Sequence, residues 1–287
     1  MRIIHNLDEM TETARGWLAG GSVGFVPTMG YLHEGHLSLI RAAQQECEIS
    51  IAGIFVNPLQ FERSEDLARY PYDPERDLQL LSTAGVDVVF IPRAEDIYPS
   101  DFSTFVVPSA PLTGRPKGVN AQVYIRGVAT VMTKLFQLVR PDLAYFGQKD
   151  AHQVAVVRRL VRDLNIDIGL RILPTVRESD GLAMSSRNHL LLPAERQAAN
   201  ILYRALMAGK ALIDGGERRS SVIEKAMRDM VATELLASLD YTAVCHPDTL
   251  SELQEVMPRT LLTIGVRVGG TYFVDNFVWL SDGHWQM

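Results

Sequence analysis

The stretch Val26-Pro27-Thr28-Met29-Gly30-Tyr31-Leu32-His33-Glu34-Gly35-His36 constrains the fold of this chain more than any other. Ser22 to Pro27 is short and apolar, as a strand buried on both faces would be, and Gly30 supplies a tight turn after it. Leu37, Leu39, Ile40 and Ala43 then recur at helical spacing. A strand that feeds a helix through a glycine turn presents unpaired backbone N–H groups and the positive end of a helix dipole, which suits a phosphate. His33 and His36 share one face of that helix start, and Gly35 between them leaves room for a flat ligand. A zinc-protease pattern fails by one position, because His-Glu-x-x-His needs histidine at 37, where the chain has Leu37.

Strand and helix signals alternate through the rest of the first half. An amphipathic helix is predicted over 7–19, and Ile49 to Val56 reads as a second parallel strand closed by Asn57-Pro58. A long loop runs from Asn57 to Pro74, followed by a helix over Asp73 to Ala84 and a strand over Val86 to Ile91. Pro92 to Tyr124 is irregular, with a short strand predicted at Thr104 to Val107. Helix returns at Gly127 to Leu138, then strand at Leu143 to Phe146, helix at Ala151 to Leu164 and strand at Ile168 to Leu173. This alternation predicts an α/β fold whose Rossmann-like parallel sheet is covered on both faces, over residues 1–175. Past a polar linker at Pro174 to Asn188, helices are predicted at about 194–214 and 218–236. Apolar segments follow at 241–245, 261–268 and 271–280, the last two flanking a Gly269-Gly270 hairpin turn. Residues 176–287 are thus expected to form a smaller α+β domain that serves as a lid.

Composition narrows the function. The 287 residues carry a formal net charge of −6, which argues against a broad nucleic-acid surface and hence against a tRNA synthetase built on the same turn. No apolar run reaches the length of a membrane span, and Asp8, Glu9 and Glu12 follow Met1 where a secretory signal would be basic and then apolar. A cytoplasmic location is expected. Cys47 and Cys245 form no metal or redox motif and read as buried thiols.

Four further stretches accompany the first: Phe55-Val56-Asn57-Pro58-Leu59-Gln60-Phe61, Tyr145-Phe146-Gly147-Gln148-Lys149-Asp150, Pro174-Thr175-Val176-Arg177-Glu178, and Asp180-Gly181-Leu182-Ala183-Met184-Ser185-Ser186-Arg187-Asn188. Together with Pro27-Thr28-Met29-Gly30 and His33-x-Gly35-His36 they resemble the signature of the pantothenate synthetase (pantoate–β-alanine ligase) family, within the His-x-Gly-His nucleotidyltransferase superfamily. The match runs in order over most of residues 22–195.

The resemblance implies a two-step ligase reaction in which ATP and pantoate give pantoyl adenylate and pyrophosphate, and β-alanine then gives pantothenate and AMP. It implies Mg2+ on the triphosphate, a homodimer, and no nucleic-acid or membrane partner. It places ATP against Met29, Gly30, Tyr31, Leu32, His33, Glu34, Gly35 and His36. Further nucleotide contacts carry over to Gly147, Gln148, Lys149 and Asp150, to Val176, and to Met184, Ser185, Ser186 and Arg187. His36 matches the proton donor, assisted by His33 and Lys149. Gln60 and Gln153 match the pair that holds pantoate, with Asn57 and Tyr70 shaping the pocket. No protein ligand for the metal is identified.

Some positions depart from the family pattern. Tyr72 stands where an arginine is usual, His152 where a glutamine is usual, and Arg76-Asp77 where an acidic pair is usual. Counting back from Gly127 puts Ala121 at a family arginine and Tyr124 at a family histidine. Either Arg115 or Arg126 can restore a cation there, and Arg126 at a helix start points to an anion nearby. The rival readings are another nucleotidyltransferase of the same fold and a non-catalytic nucleotide-binding module. Three separate polar clusters favour the enzyme.

Overall fold

Six parallel strands build the first of two units, in a computed structural model that describes residues 1–17, 20–109 and 121–287. Among the described residues this unit comprises Met1–Ser109, Gln122–Gly147 and Val156–Leu173. Its strands are β1 (Arg2–Ile4), β2 (Val23–Thr28), β3 (Ile49–Ile54), β4 (Val88–Phe90), β5 (Leu143–Gly147) and β6 (Gly169–Leu173), in the order β1-β4-β3-β2-β5-β6. β2 lies inside the sheet, paired in register from Val23↔Ile49 to Thr28↔Ile54 on one side and with β5 on the other. The winding direction reverses between β2 and β5, and in open α/β sheets ligands bind beyond the carboxyl ends of strands at such a point.

The helix after β2 is α2 (Glu34–Glu46). Its Leu39, Ile40 and Ala43 share one buried cluster with Val26, Ala52, Ile54 and Tyr145. The remaining helices met in this part of the chain are α1 (Leu7–Trp17), α3 (Ser64–Ala68), α4 (Pro74–Thr83), α5 (Ala94–Ile97), α6 (Ala121–Val139) and α7 (Ala151–Asp163).

The second unit comprises, among the described residues, Ala121, Gln148–Ala155 and Pro174–Met287. It holds α8 (Pro193–Ala199), α9 (Ile201–Asp214) and α10 (Ser220–Val231), then β7 (Ala237–Cys245), β8 (Thr260–Val268), β9 (Thr271–Trp279) and β10 (Trp285–Gln286). These strands form an antiparallel sheet in the order β10-β9-β8-β7. Leu202 and Leu206 of α9, Ile223 and Met227 of α10, and Leu262, Ile264 and Phe277 of the sheet make its buried core. β8 and β9 meet at Gly269-Gly270, as the sequence predicts, with both residues at positive φ.

Four local differences from the sequence reading have physical causes. β1 is three residues long and pairs in parallel with β4, too short to leave a periodic trace. Thr104 to Val107 joins no strand ladder, because Thr130 Oγ1 accepts the Val106 N–H at 3.1 Å. α6 begins at Ala121, ahead of Gly127. The helix predicted over 194–214 breaks at Asn200. Residues 18–19 of the first predicted helix, and residues 110–120 of the irregular stretch, with Arg115, lie outside the described residues. No helix among the described residues is long and apolar enough to cross a membrane.

Candidate active site

The turn after β2 is held from a distant helix. Gly30 has φ 79° and Tyr31 φ 48°, so a non-glycine residue occupies the left-handed region, at a typical cost of about 1–2 kcal/mol. Asp77 of α4 offsets this. Its fully buried carboxylate accepts the Tyr31 N–H at 2.6 Å and the Leu32 N–H at 2.7 Å. Arg76 donates to the Leu32 carbonyl at 2.9 Å, and its guanidinium lies 5.0 Å from the centre of the Tyr31 ring. A side chain at Gly30 would place Cβ 3.1 Å from Asp77 Oδ2, so glycine serves both conformation and space there. Burial pushes the Asp77 carboxyl above the usual carboxylate range, with the two amides opposing it.

The two histidines cap their own helix. His33 Nδ1 accepts the Gly35 N–H at 3.2 Å, and His36 Nδ1 accepts the His33 N–H at 3.3 Å. A backbone N–H can only donate, so each Nδ1 must present its lone pair, and a neutral imidazole then carries its proton on Nε2. The ring centroids are 4.1 Å apart. The helix start thus carries two neighbouring Nε2–H donors with an assigned tautomer, on the element whose N-terminus favours an anion. Serine, threonine or aspartate usually fills the capping role, and here histidine fills it.

In the same unit Asn57 is buried and opens a single 3-10 turn, Pro58–Gln60, and its side chain meets that of Gln60 at 2.9 Å. Tyr70 packs edge-on against Phe61, with centroids 5.7 Å apart. It also lines a cavity of about 460 Å3 with Phe55, Tyr72 and Pro92. Arg126 lies in α6 with its guanidinium 4.8 Å from the centre of the Phe105 ring, and its buried Nε has no hydrogen-bond partner among the described residues.

The second unit holds the other clusters. Gln148, Lys149 and Asp150 form a 3-10 turn gripped by Asn276 of β9. Asn276 Nδ2 donates to the carbonyls of Gln148 (3.0 Å) and Lys149 (2.8 Å), while Gln148 Nε2 donates to Asn276 Oδ1 (2.9 Å). The backbone bearing Lys149 is therefore fixed, and its side chain, 17% exposed, has Asp150 at 3.6 Å. Gln153 is half-buried in the first turn of α7. On the neighbouring residue of β9, Asp275 pairs with Arg177 at 2.7 and 3.0 Å. Successive strand residues face opposite ways, so β9 holds a cluster on each face. Val176 and Met184 are joined by a backbone hydrogen bond of 3.0 Å. Ser185 Oγ accepts the Arg187 N–H at 3.2 Å, and among the described residues the Arg187 guanidinium has no ion-pair partner. Asn276 belongs to no motif, and the role of Asp77, the one acid left at the position of the usual acidic pair, shows only once the chain is folded.

His152 is buried, with its ring edge-on to Tyr241 at 6.0 Å. Burial pushes its imidazole down to about 4, with the Asp150 carboxylate opposing. An unfolded chain takes up this proton near pH 6.5. The favourable contribution of the neutral ring is therefore complete above that pH and is lost as pH falls toward 4, by about 2–3 kcal/mol. His152→Gln should flatten the fall in Tm between pH 7 and pH 4 in scanning calorimetry. An unchanged slope would contradict the assignment.

Among the described residues no group of three or more His, Cys, Asp or Glu side chains is placed to hold a metal ion. Both Asp77 oxygens are engaged by backbone amides, so the position of the usual acidic pair offers no carboxylate pair.

Comparison with known proteins agrees with this geometry. The family model described as Pantoate-beta-alanine ligase matches residues 2–278. A pantothenate synthetase of Chloroflexus aggregans is 48% identical over 98% of this chain and 100% of its own length. A crystal structure of pantothenate synthetase from Thermus thermophilus superposes with a TM-score of 0.90 at 42% identity, covering 96% of this chain and 98% of that one. A pantoate–β-alanine ligase from Francisella tularensis, solved with β,γ-ATP and β-alanine, gives a TM-score of 0.80 at 30% identity over 97% of each chain. The chain belongs to the pantoate–β-alanine ligase family and is an ATP-dependent acid–amine ligase.

Proposed function

We propose that the His33–His36 turn is where pantoate is adenylated. The enzyme condenses pantoate with β-alanine through pantoyl adenylate, releasing pyrophosphate and then AMP. In the first step a pantoate carboxylate oxygen attacks the α-phosphorus, and the bond to the bridging oxygen breaks. The carboxylate is already ionised near neutrality, so the protein's work is positioning and charge cancellation. His33 and His36 direct Nε2–H groups at the α-phosphate and the bridging oxygen, where they donate hydrogen bonds to the charge that grows as pyrophosphate leaves. Lys149 adds a fixed positive charge, and Ser185, Ser186 and Arg187 hold the outer phosphates. Gln60 and Gln153 hold pantoate, with Asn57 and Tyr70 shaping its pocket. In the second step the amine nitrogen attacks the acyl carbon, the C–O bond breaks so that AMP leaves with the bonding pair on its phosphate, and the proton of the nitrogen passes to water.

The observation that carries this reading is the reciprocal capping that fixes both imidazoles as Nε2–H donors. Mg2+ enters with the triphosphate as part of the substrate, where it keeps several waters and asks for few protein ligands. Homodimerisation and a cytoplasmic location complete the reading and rest on the family alone.

Exchange of labelled pyrophosphate into ATP tests it. Exchange is expected to require pantoate and to proceed without β-alanine, since adenylation precedes entry of the amine. Exchange that requires β-alanine, or that another acid supports and pantoate does not, would overturn the reading.

A further inference from the structure

Backbone groups fix the polarity of a row of side chains that ends at Gln60. Asn57 is 0% exposed and uses its whole hydrogen-bonding capacity within the first unit. Its Nδ2 donates to the Gly127 carbonyl at 3.1 Å and to Gln60 Oε1 at 2.9 Å. Its Oδ1 accepts the Leu59 N–H at 3.3 Å and the Tyr98 hydroxyl at 2.9 Å. A carbonyl can only accept and a backbone N–H can only donate, so Gly127 and Leu59 leave Asn57 one orientation.

Two consequences follow for its partners. Facing the donor end of Asn57, Gln60 must turn its oxygen inward, which directs its Nε2 group away from Asn57. Among the described residues that group donates to none. Facing the acceptor end, Tyr98 must donate. Burial raises the Tyr98 phenol far above its ordinary value, so it keeps that proton at any working pH. Its ring is held between Phe55 and Phe102, with centroids at 6.0 and 5.0 Å. The close backbone approach that brings in Gly127 depends on its lack of a side chain, since a Cβ there would lie 2.3 Å from the Leu59 oxygen.

We propose that Asn57, oriented by the Gly127 carbonyl and the Leu59 N–H and held in place by the positioning residue Tyr98, locks Gln60 as a hydrogen-bond donor, so that this end of the acid site takes an oxygen acceptor of pantoate and rejects a ligand offering only a donor. The proposal rests on the reading that Gln60 holds pantoate. A glutamine free to rotate would serve a donor or an acceptor equally. A locked one discriminates, because two opposed groups of the same polarity leave a buried polar group unpaired.

The test is the pantoate KM and kcat in pyrophosphate exchange at saturating ATP, with the Tm of each variant measured alongside. Gln60→Glu keeps an oxygen facing Asn57 but puts a second oxygen where the NH2 group stood. At pH 8 it should raise the pantoate KM more than Gln60→Ala does, and the excess should shrink as pH falls toward 5 and the new carboxyl regains a proton. Tyr98→Phe should raise the pantoate KM by about five- to tenfold, with the ATP KM unchanged and kcat within about twofold. If Gln60→Ala impairs pantoate use but Gln60→Glu is equal to it or better at pH 8, the polarity is wrong. If folded Tyr98→Phe leaves the pantoate KM unchanged, Tyr98 has no positioning role. If Gln60→Ala itself leaves the pantoate KM unchanged, the underlying reading of Gln60 fails, a result distinct from the other two. Should Tyr98→Phe fail to fold, the Gln60 pair still decides the polarity.

Discussion

Replacement of His36 by alanine is expected to slow pantoyl-adenylate formation by about two to four powers of ten, the range typical when a proton donor or a donor to a developing charge is removed. The alanine variant loses two things together: the Nε2–H aimed at the phosphates and the Nδ1 that accepts the His33 N–H. His36→Asn separates them, because an asparagine oxygen can stand where Nδ1 stood while nothing replaces Nε2–H. The account expects His36→Asn to be as slow as His36→Ala in rapid-quench single turnovers, yet to melt nearer the wild type. A loss below about tenfold in both variants would reduce His36 to a structural cap. Recovery of activity in His36→Asn would give the cap, and not the donor, the main effect.

Lys149→Met should lower the exchange rate by about a hundred- to a thousandfold, the effect of deleting one preorganised charge at a site where charge shifts during reaction. The fold should tolerate the change. Asn276 grips the carbonyls of Gln148 and Lys149 and the side-chain amide of Gln148, none of which the substitution touches. Lys149→Arg should restore only part of the rate, since a broad planar guanidinium fork cannot occupy the place of a compact ammonium. Steady-state exchange kinetics with melting curves check both variants. A Lys149→Met enzyme within about threefold of the wild type would remove the lysine from the chemistry.

The sheet is legible in the sequence where burial leaves an apolar run between turn residues. β2, β3, β4 and β5 each follow that pattern, and the helices between them carry apolar residues at helical spacing. β1 escapes such a reading because three residues on a parallel edge carry no period. The strand expected at Thr104 to Val107 has strand-forming residues, but the Thr130 hydroxyl satisfies the Val106 N–H in place of a ladder partner.

The site divides in the same way. His33, His36, Gln60 and Lys149 stand in recognisable motifs. The contacts that orient them leave no such trace: Asp77 reaches Tyr31 and Leu32, Asn276 reaches Gln148 and Lys149, and Tyr98 reaches Asn57, across 41 to 128 residues. An aspartate within a helix, an asparagine within a strand and a tyrosine after a short helix are ordinary in isolation. Their roles depend on buried hydrogen bonds, which leave no local pattern.

The account rests most heavily on the tautomer of the two histidines, and nitrogen-15 NMR of the imidazoles in the free enzyme near pH 8 reads it directly. Both His33 and His36 are expected to show an unprotonated Nδ1 and a protonated Nε2. A protonated Nδ1 on His36 would contradict the capping geometry and remove the Nε2–H donor on which the proposed adenylation depends.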